Sequence, residues 1–134
     1  MVDGATYSWQ NGVSVSRLCL GAMMFGDQTS EKNSANIVSA AKEAGINFID
    51  TADVYTKGKS EIITGKIIRR QRDHWVLATK VGSDFGPKPG QNQGGLSRRW
   101  ILYELDQPLK RLGLTTSMFI TFTAKITLPA LKNL

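Results

Sequence analysis

Cysteine and histidine are nearly absent from this sequence, which holds one of each in 134 residues. The lone Cys19 excludes an internal disulfide, suits a reducing compartment, and reads as a small apolar strand residue. No metal site is expected. Long apolar runs are missing too, so no segment approaches the length of a membrane span. The first ten residues, MVDGATYSWQ, have neither a basic n-region nor an apolar h-region. No signal peptide is therefore expected, and a cytoplasmic location is. Charge is only mildly unbalanced, with 17 Lys and Arg against 11 Asp and Glu for a net +6. Such a surface favours anionic ligands such as a phosphate group. It lacks the basic stripe interleaved with aromatics that a nucleic-acid partner would need.

What is present is concentrated between Gly45 and Lys80. An apolar strand, Ile46 to Ile49, runs into Asp50, and a polar loop carrying Tyr55 follows. A helical segment comes next, and a second apolar strand, Trp75 to Thr79, runs into Lys80. In a parallel α/β architecture successive strand ends share one face, which brings Asp50, Tyr55 and Lys80 together. A free tyrosine titrates near ~10 and a free lysine near ~10.4, so neither is poised alone at neutral pH. A neighbouring ammonium favours phenolate, and a carboxylate beside the lysine keeps it charged and fixed. That combination can hand a proton to a developing alkoxide and recover it in reverse. It is the acid–base half of carbonyl reduction, and the hydride must come from a cofactor. The other reading of the trio is a structural ion pair beside a surface tyrosine.

Around this stretch the pattern is that of alternating strands and helices. Tyr7 to Val15 alternates about Asn11-Gly12, a hairpin signal of type I′. Arg17 to Leu20 reads as the first sheet strand, ending in the turn Gly21-Ala22-Met23-Met24-Phe25-Gly26. Thr29 or Ser30 caps a helix through Ala44, with Ile37, Val38, Ala41 and Ala44 on one face and Gly45 as its stop. Ser60 reads as the cap of a second helix carrying Ile62, Ile63, Ile67 and Ile68, closed by the basic run Arg69 to Arg72. His74 precedes the strand that ends in Lys80, and so lies at the end opposite the chemistry. Residues 81–96, rich in glycine and proline, are long for a βα loop and could wall a substrate pocket. Ser97 caps a third helix with Leu102, Leu105, Leu109 and Leu112 on its face. Pro108 inside it predicts a kink or an early end.

The words GINFIDTADVY (45–55), GKSEIITG (58–65), Leu77 to Lys80, GGLSRR (94–99) and LKRL (109–112), with Leu20-Gly21, resemble the aldo-keto reductase family. The resemblance spans about residues 7–114. It implies the N-terminal portion of a TIM-like (β/α)8 barrel with an N-terminal β-hairpin under the barrel floor. It also implies NADP(H) and a small aldehyde or ketone substrate. Asp50, Tyr55 and Lys80 take the catalytic places, completed in the family by a histidine on the fourth strand. Gly21, Ala22, Met23 and Asp50 take cofactor-binding places beside the nicotinamide and its ribose. The family takes most of its remaining cofactor contacts, the 2′-phosphate site among them, from the second half of the barrel.

Such a barrel typically needs ~250 residues, so 134 residues make one domain but leave it incomplete. Beyond Leu114 the family has a strand of the form D-Y-V-D-x-Y-x-I-H, where this chain reads TTSMFITFTA. A one-nucleotide shift of the degenerate codons for Thr115 to Ala124 can spell D-Y-V-D-V-Y-Y-I-H-R. Residues 115–134 are accordingly read as a divergent, frameshifted tail on a truncated reductase that is inactive alone. Nucleotide sequence across this region tests that reading, which fails if no shifted frame continues the barrel. On its own terms Ser117 to Leu128 is strand-prone and can pair as a fourth strand. Open barrel edges allow self-association. The alternative function is a non-catalytic nucleotide-sensing or interaction module that pairs with another chain.

Overall fold

The computed structural model describes residues 6–8, 12–82, 98–115 and 119–122. Its strands are β1 (Thr6–Ser8), β2 (Ser14–Ser16), β3 (Leu20–Gly21), β4 (Phe48–Asp50), β5 (Val76–Val81) and β6 (Phe119–Phe122). Helix α1 (Glu31–Glu43) joins β3 to β4, α2 (Lys59–Ile68) joins β4 to β5, and α3 (Arg98–Leu112) lies between β5 and β6. β1 and β2 form an antiparallel pair with Tyr7 opposite Val15. The turn at Asn11 lies outside the described residues. The other strands make a four-stranded parallel sheet in sequence order, β3-β4-β5-β6. Strands in that order, each followed by a crossover helix, are the repeating unit of a βα barrel. The described residues form an open part of one. No helix among them is long and apolar enough to cross a membrane.

Local chemistry explains most boundaries. The Ser30 hydroxyl accepts the Asn33 N–H at 3.2 Å and so satisfies a donor in the first turn of α1. At the other end Gly45 adopts φ +82°, and the Ile46 N–H returns to the Ala41 carbonyl at 3.0 Å. That left-handed closure suits glycine. The hairpin is fastened to the sheet by Asn47, whose Oδ1 accepts from the Ser16 N–H and whose Nδ2 donates to the Ser14 carbonyl. His74 binds the Ile46 carbonyl at 3.0 Å just before β5, away from the strand ends that carry Asp50 and Lys80.

The core lies between one face of the sheet and the helices. Ile49 and Leu77 sit opposite one another in the ladder and pack with Val38, Ala41, Ile63, Ile68 and Leu112. Neighbouring strand residues point the other way, which is the period-two rule that presents Asp50 and Lys80 on the open face.

Several expectations shift. β3 is Leu20–Gly21 and not Arg17 to Leu20. β4 starts two residues later than expected, and β5 runs through Lys80 to Val81. The inner face of α1 is Ser34, Val38 and Ala41, while Ile37 and Ala44 are exposed, so of the expected stripe only Val38 and Ala41 meet the sheet side. Ser60 does not cap α2: Gly58 occupies that place at φ +80°, and Ser60 lies buried one residue inside. Arg69 to Arg72 belong to a 3₁₀ turn that runs on to His74. α3 does not end at Pro108, which is fully buried within a helix continuing to Leu112. Leu102 is exposed, so the inner stripe of α3 is narrower than its leucines suggest. The expected Ser97 cap and the wall formed by residues 83–96 lie outside the described residues. β6 occupies the place read for a fourth strand, with Lys80 opposite Thr121.

Candidate active site

Asp50 ends β4 and pairs in register with Ala78, so Lys80, two residues further along β5, rises on the same face. Lys80 Nζ donates to Asp50 Oδ2 and, at 3.1 Å, to the Thr51 carbonyl. The side chains are about three-quarters buried, with 24% of Lys80 and 28% of Asp50 exposed. Burial works against the Lys80 ammonium, but hydrogen bonds with Asp50 and Tyr55 and the charge of Asp50 outweigh it. The lysine is thereby held above its ordinary range.

Tyr55 arrives from the loop after β4, and Lys80 Nζ lies 4.9 Å from its ring centroid. The loop is fastened to β5 by its backbone, Thr51 N–H to the Ala78 carbonyl at 2.9 Å and Asp53 N–H to the Lys80 carbonyl at 3.1 Å. These bonds continue the ladder past the last residue of β4 and fix the height of the phenol over the lysine. Beyond Tyr55 the chain turns through Thr56 and Lys57 at φ +51° and +56° before Gly58 opens α2. Left-handed backbone is unfavourable for both non-glycine residues, so the surrounding contacts must hold it.

The Gly21-Ala22-Met23 turn stands beside this pair. The Ala22 N–H donates to the Asp50 carbonyl at 2.8 Å, and the Ala22 carbonyl accepts from Ser60 Oγ at 2.7 Å. Ser60 also shares a 2.7 Å bond with Thr51 Oγ1, which accounts for its burial. Ala22 is fully buried and positions the turn, whereas Met23 is exposed. Among the described residues, chain neighbours aside, no heavy atom lies within 4 Å of where a Cβ on Gly21 would sit. The backbone at Gly21, opposite Asp50 in the ladder, is thus open. The turn so held sets Gly21, Ala22 and Met23 beside Asp50. Cys19 is exposed and not packed as a small apolar residue. Partial burial, then the Asp50 carboxylate, push its thiol up to about 11 against the opposing charge of Lys80.

Behind the sheet lies a group that the sequence reading gave no role. Glu61 on α2 is fully buried, and its Oε1 accepts from Thr79 Oγ1 at 2.6 Å. Its Oε2 accepts from Arg111 Nε on α3 at 2.5 Å. Burial raises the Glu61 carboxyl, against the Thr79 and Arg111 bonds that lower it. The one visible signal was an acid within the apolar run of α2, at a spacing that also suits a solvent-facing position.

Asp53 belongs to the same neighbourhood. It is buried, with Oδ1 unpartnered among the described residues. Burial, then the Glu104 carboxyl, push it up to about 6, with the Val54 N–H and Arg111 pulling down. Because this folded value is raised, the stability tied to it is complete below the unfolded value of ~3.9 and is lost as pH rises to about 6. That rise corresponds to at most roughly 3 kcal/mol. Asp53→Asn is therefore expected to be more stable than wild type near neutral pH. The gain should vanish below the carboxylate range, as measured by urea midpoints. An equal midpoint difference at both pH values would contradict this account.

Comparison with known proteins agrees with this geometry. A family model described as "Aldo/keto reductase family" matches residues 17–120. The chain is 42% identical over 116 residues to the "Uncharacterized oxidoreductase YrpG" of Bacillus subtilis (strain 168), covering 80% of this chain and 36% of that one. It is 38% identical over 107 residues to the Arabidopsis thaliana protein named "Probable voltage-gated potassium channel subunit beta", covering 77% and 32%. Among solved structures it resembles "aldo-keto reductase AKR11C1 from Bacillus halodurans (holo form)", with TM-score 0.73 and 30% identity over 87% of this chain and 39% of that one. The chain thus spans about a third of the length of these curated relatives. With the family model covering most of its length and the strand-end cluster within the matched span, the chain belongs to the aldo/keto reductase family.

Proposed function

We propose that Asp50, Tyr55 and Lys80 form the proton-transfer group of an NADPH-dependent reduction of an aldehyde or ketone to an alcohol. The observation that carries this reading is Lys80 Nζ, held by Asp50 and the Thr51 carbonyl and set 4.9 Å from the Tyr55 ring. Tyr55 donates its phenolic proton to the carbonyl oxygen as negative charge develops there. The Lys80 ammonium stabilises the phenolate left behind, and Asp50 keeps that ammonium charged and aimed. The hydride for the carbonyl carbon would come from NADPH when it is bound. Gly21, Ala22, Met23 and Asp50 would hold the nicotinamide end, with the Ala22 backbone also fixing the turn. In the reverse direction the phenolate takes back the alcohol proton.

The described fourth strand, Phe119–Phe122, carries no histidine to orient the carbonyl, and the sheet has four strands among the described residues. These 134 residues by themselves are therefore expected to bind NADPH weakly or not at all and to turn over no carbonyl. An NADPH fluorescence titration followed by an assay of carbonyl-dependent oxidation tests this. Micromolar binding with turnover that Tyr55→Phe abolishes would overturn the expected inactivity. Turnover undiminished by Tyr55→Phe would overturn the assignment of the proton donor. Binding without turnover would move the nucleotide-sensing alternative ahead.

A further inference from the structure

We infer that Arg111 is a positioning residue for this site, setting the Lys80–Asp50–Tyr55 geometry from behind the sheet through Glu61, Thr79 and Gly58. The inference rests on reading Asp50, Tyr55 and Lys80 as the proton-transfer group. Arg111 reaches both segments that meet there. Towards the strand, its Nε donates to Glu61 Oε2 at 2.5 Å, and Glu61 Oε1 accepts from Thr79 Oγ1 at 2.6 Å. Thr79 immediately precedes Lys80. Adjacent strand residues point to opposite faces, so an anchor on the Thr79 side fixes the backbone from which Lys80 leaves on the other. Glu61 and Thr79 are both fully buried, and a satisfied buried network permits little drift.

Towards the loop, the Arg111 stem lies against Gly58. A Cβ built there would meet Arg111 Cδ at 2.9 Å and Nε at 3.4 Å. Gly58 closes the turn that begins at Tyr55 and passes through the left-handed Thr56 and Lys57. Asp53, whose N–H donates to the Lys80 carbonyl at 3.1 Å, is attracted by the Arg111 charge. One guanidinium therefore braces the strand that carries the lysine and the loop that carries the phenol. A planar fork and an aliphatic stem are both in use, and lysine reproduces neither the shape nor the directed bond.

The titration midpoint of the Lys80 ammonium, followed by NMR, reads this out. Asp50→Asn should lower the midpoint by removing the partner that holds the proton on. Thr79→Val keeps the side-chain shape and deletes one bond to Glu61; Arg111→Lys keeps the charge and deletes the fork. Both are expected to lower the Lys80 midpoint in the same direction and by less than Asp50→Asn does. A merely structural role would shift the unfolding midpoint and leave the Lys80 titration in place. If Asp50→Asn lowers the midpoint while both other variants fold with Lys80 unmoved, the inference is overturned and the site reading stands. If Asp50→Asn does not move Lys80, the ion-pair reading falls and takes this inference with it. Should Arg111→Lys fail to fold, Thr79→Val alone decides.

Discussion

Gly65→Ala is expected to destabilise the chain by about 3 kcal/mol or more, at or above the upper end for overpacked cores. Gly65 lies inside α2, where the C-terminal end of α3 presses against it. A Cβ there would sit 2.2 Å from the Leu112 carbonyl oxygen and 2.7 Å from its carbonyl carbon and Cα. The obstruction is backbone, so no side-chain rotation relieves it, and the two helices must move apart. Leu112 is a buried core residue, so the separation also opens the apolar cluster. Helix propensity acts in the opposite direction, favouring alanine over glycine by about 1 kcal/mol in an open helix. The sign of the effect therefore decides between the two. A urea midpoint equal to or above that of wild type would show that α2 and α3 do not meet as described.

Arg111→Met is the other large effect, with an expected loss of about 3–5 kcal/mol, the range for removing one partner of a buried pair. The arginine is partly exposed, but its partner Glu61 is not exposed at all. Methionine fills much of the same volume and leaves the carboxylate without its charge partner. The sign of the pH dependence follows. Glu61 is already raised in the folded chain, and loss of Arg111 raises it further. The added instability is therefore absent below the unfolded carboxylate range and grows as pH rises through and above it. Adding Glu61→Gln to Arg111→Met should restore part of the stability at neutral pH. Loss of less than about 1 kcal/mol, the magnitude of a surface ion pair, would contradict the buried description.

Short-range and long-range determinants differ in how far the sequence reveals them. Asp50, Tyr55 and Lys80 were legible because Asp50 and Lys80 come at the ends of apolar strands and Tyr55 in the loop after the first, and parallel strands bring their ends together whatever lies between them. Ser30 and Gly45 were legible because capping chemistry acts over a few residues, and the hairpin strands because apolar and polar residues alternate along them. Glu61 and Arg111 are fifty positions apart, and each at its own position resembles an ordinary solvent-facing charge. Ser60 shows the same limit. A serine near a helix start suggests a cap, yet here its hydroxyl is taken by Thr51 and Ala22, and glycine opens the helix. Pro108 suggests an end, yet tertiary packing buries it and carries the helix on to Leu112. Local signals placed the strand ends; long-range contacts decided what braces them.

If four parallel strands already assemble the proton-transfer cluster, Lys80 and Tyr55 are in contact in the chain as it stands. The measurement that tests it most directly is the nuclear Overhauser contact between the Lys80 side-chain methylenes and the Tyr55 ring in the isotopically labelled chain. The account expects that contact, together with its weakening in Asp50→Asn as the lysine loses its anchor. A folded chain in which the Lys80 and Tyr55 resonances are assigned and show no mutual contact would contradict it.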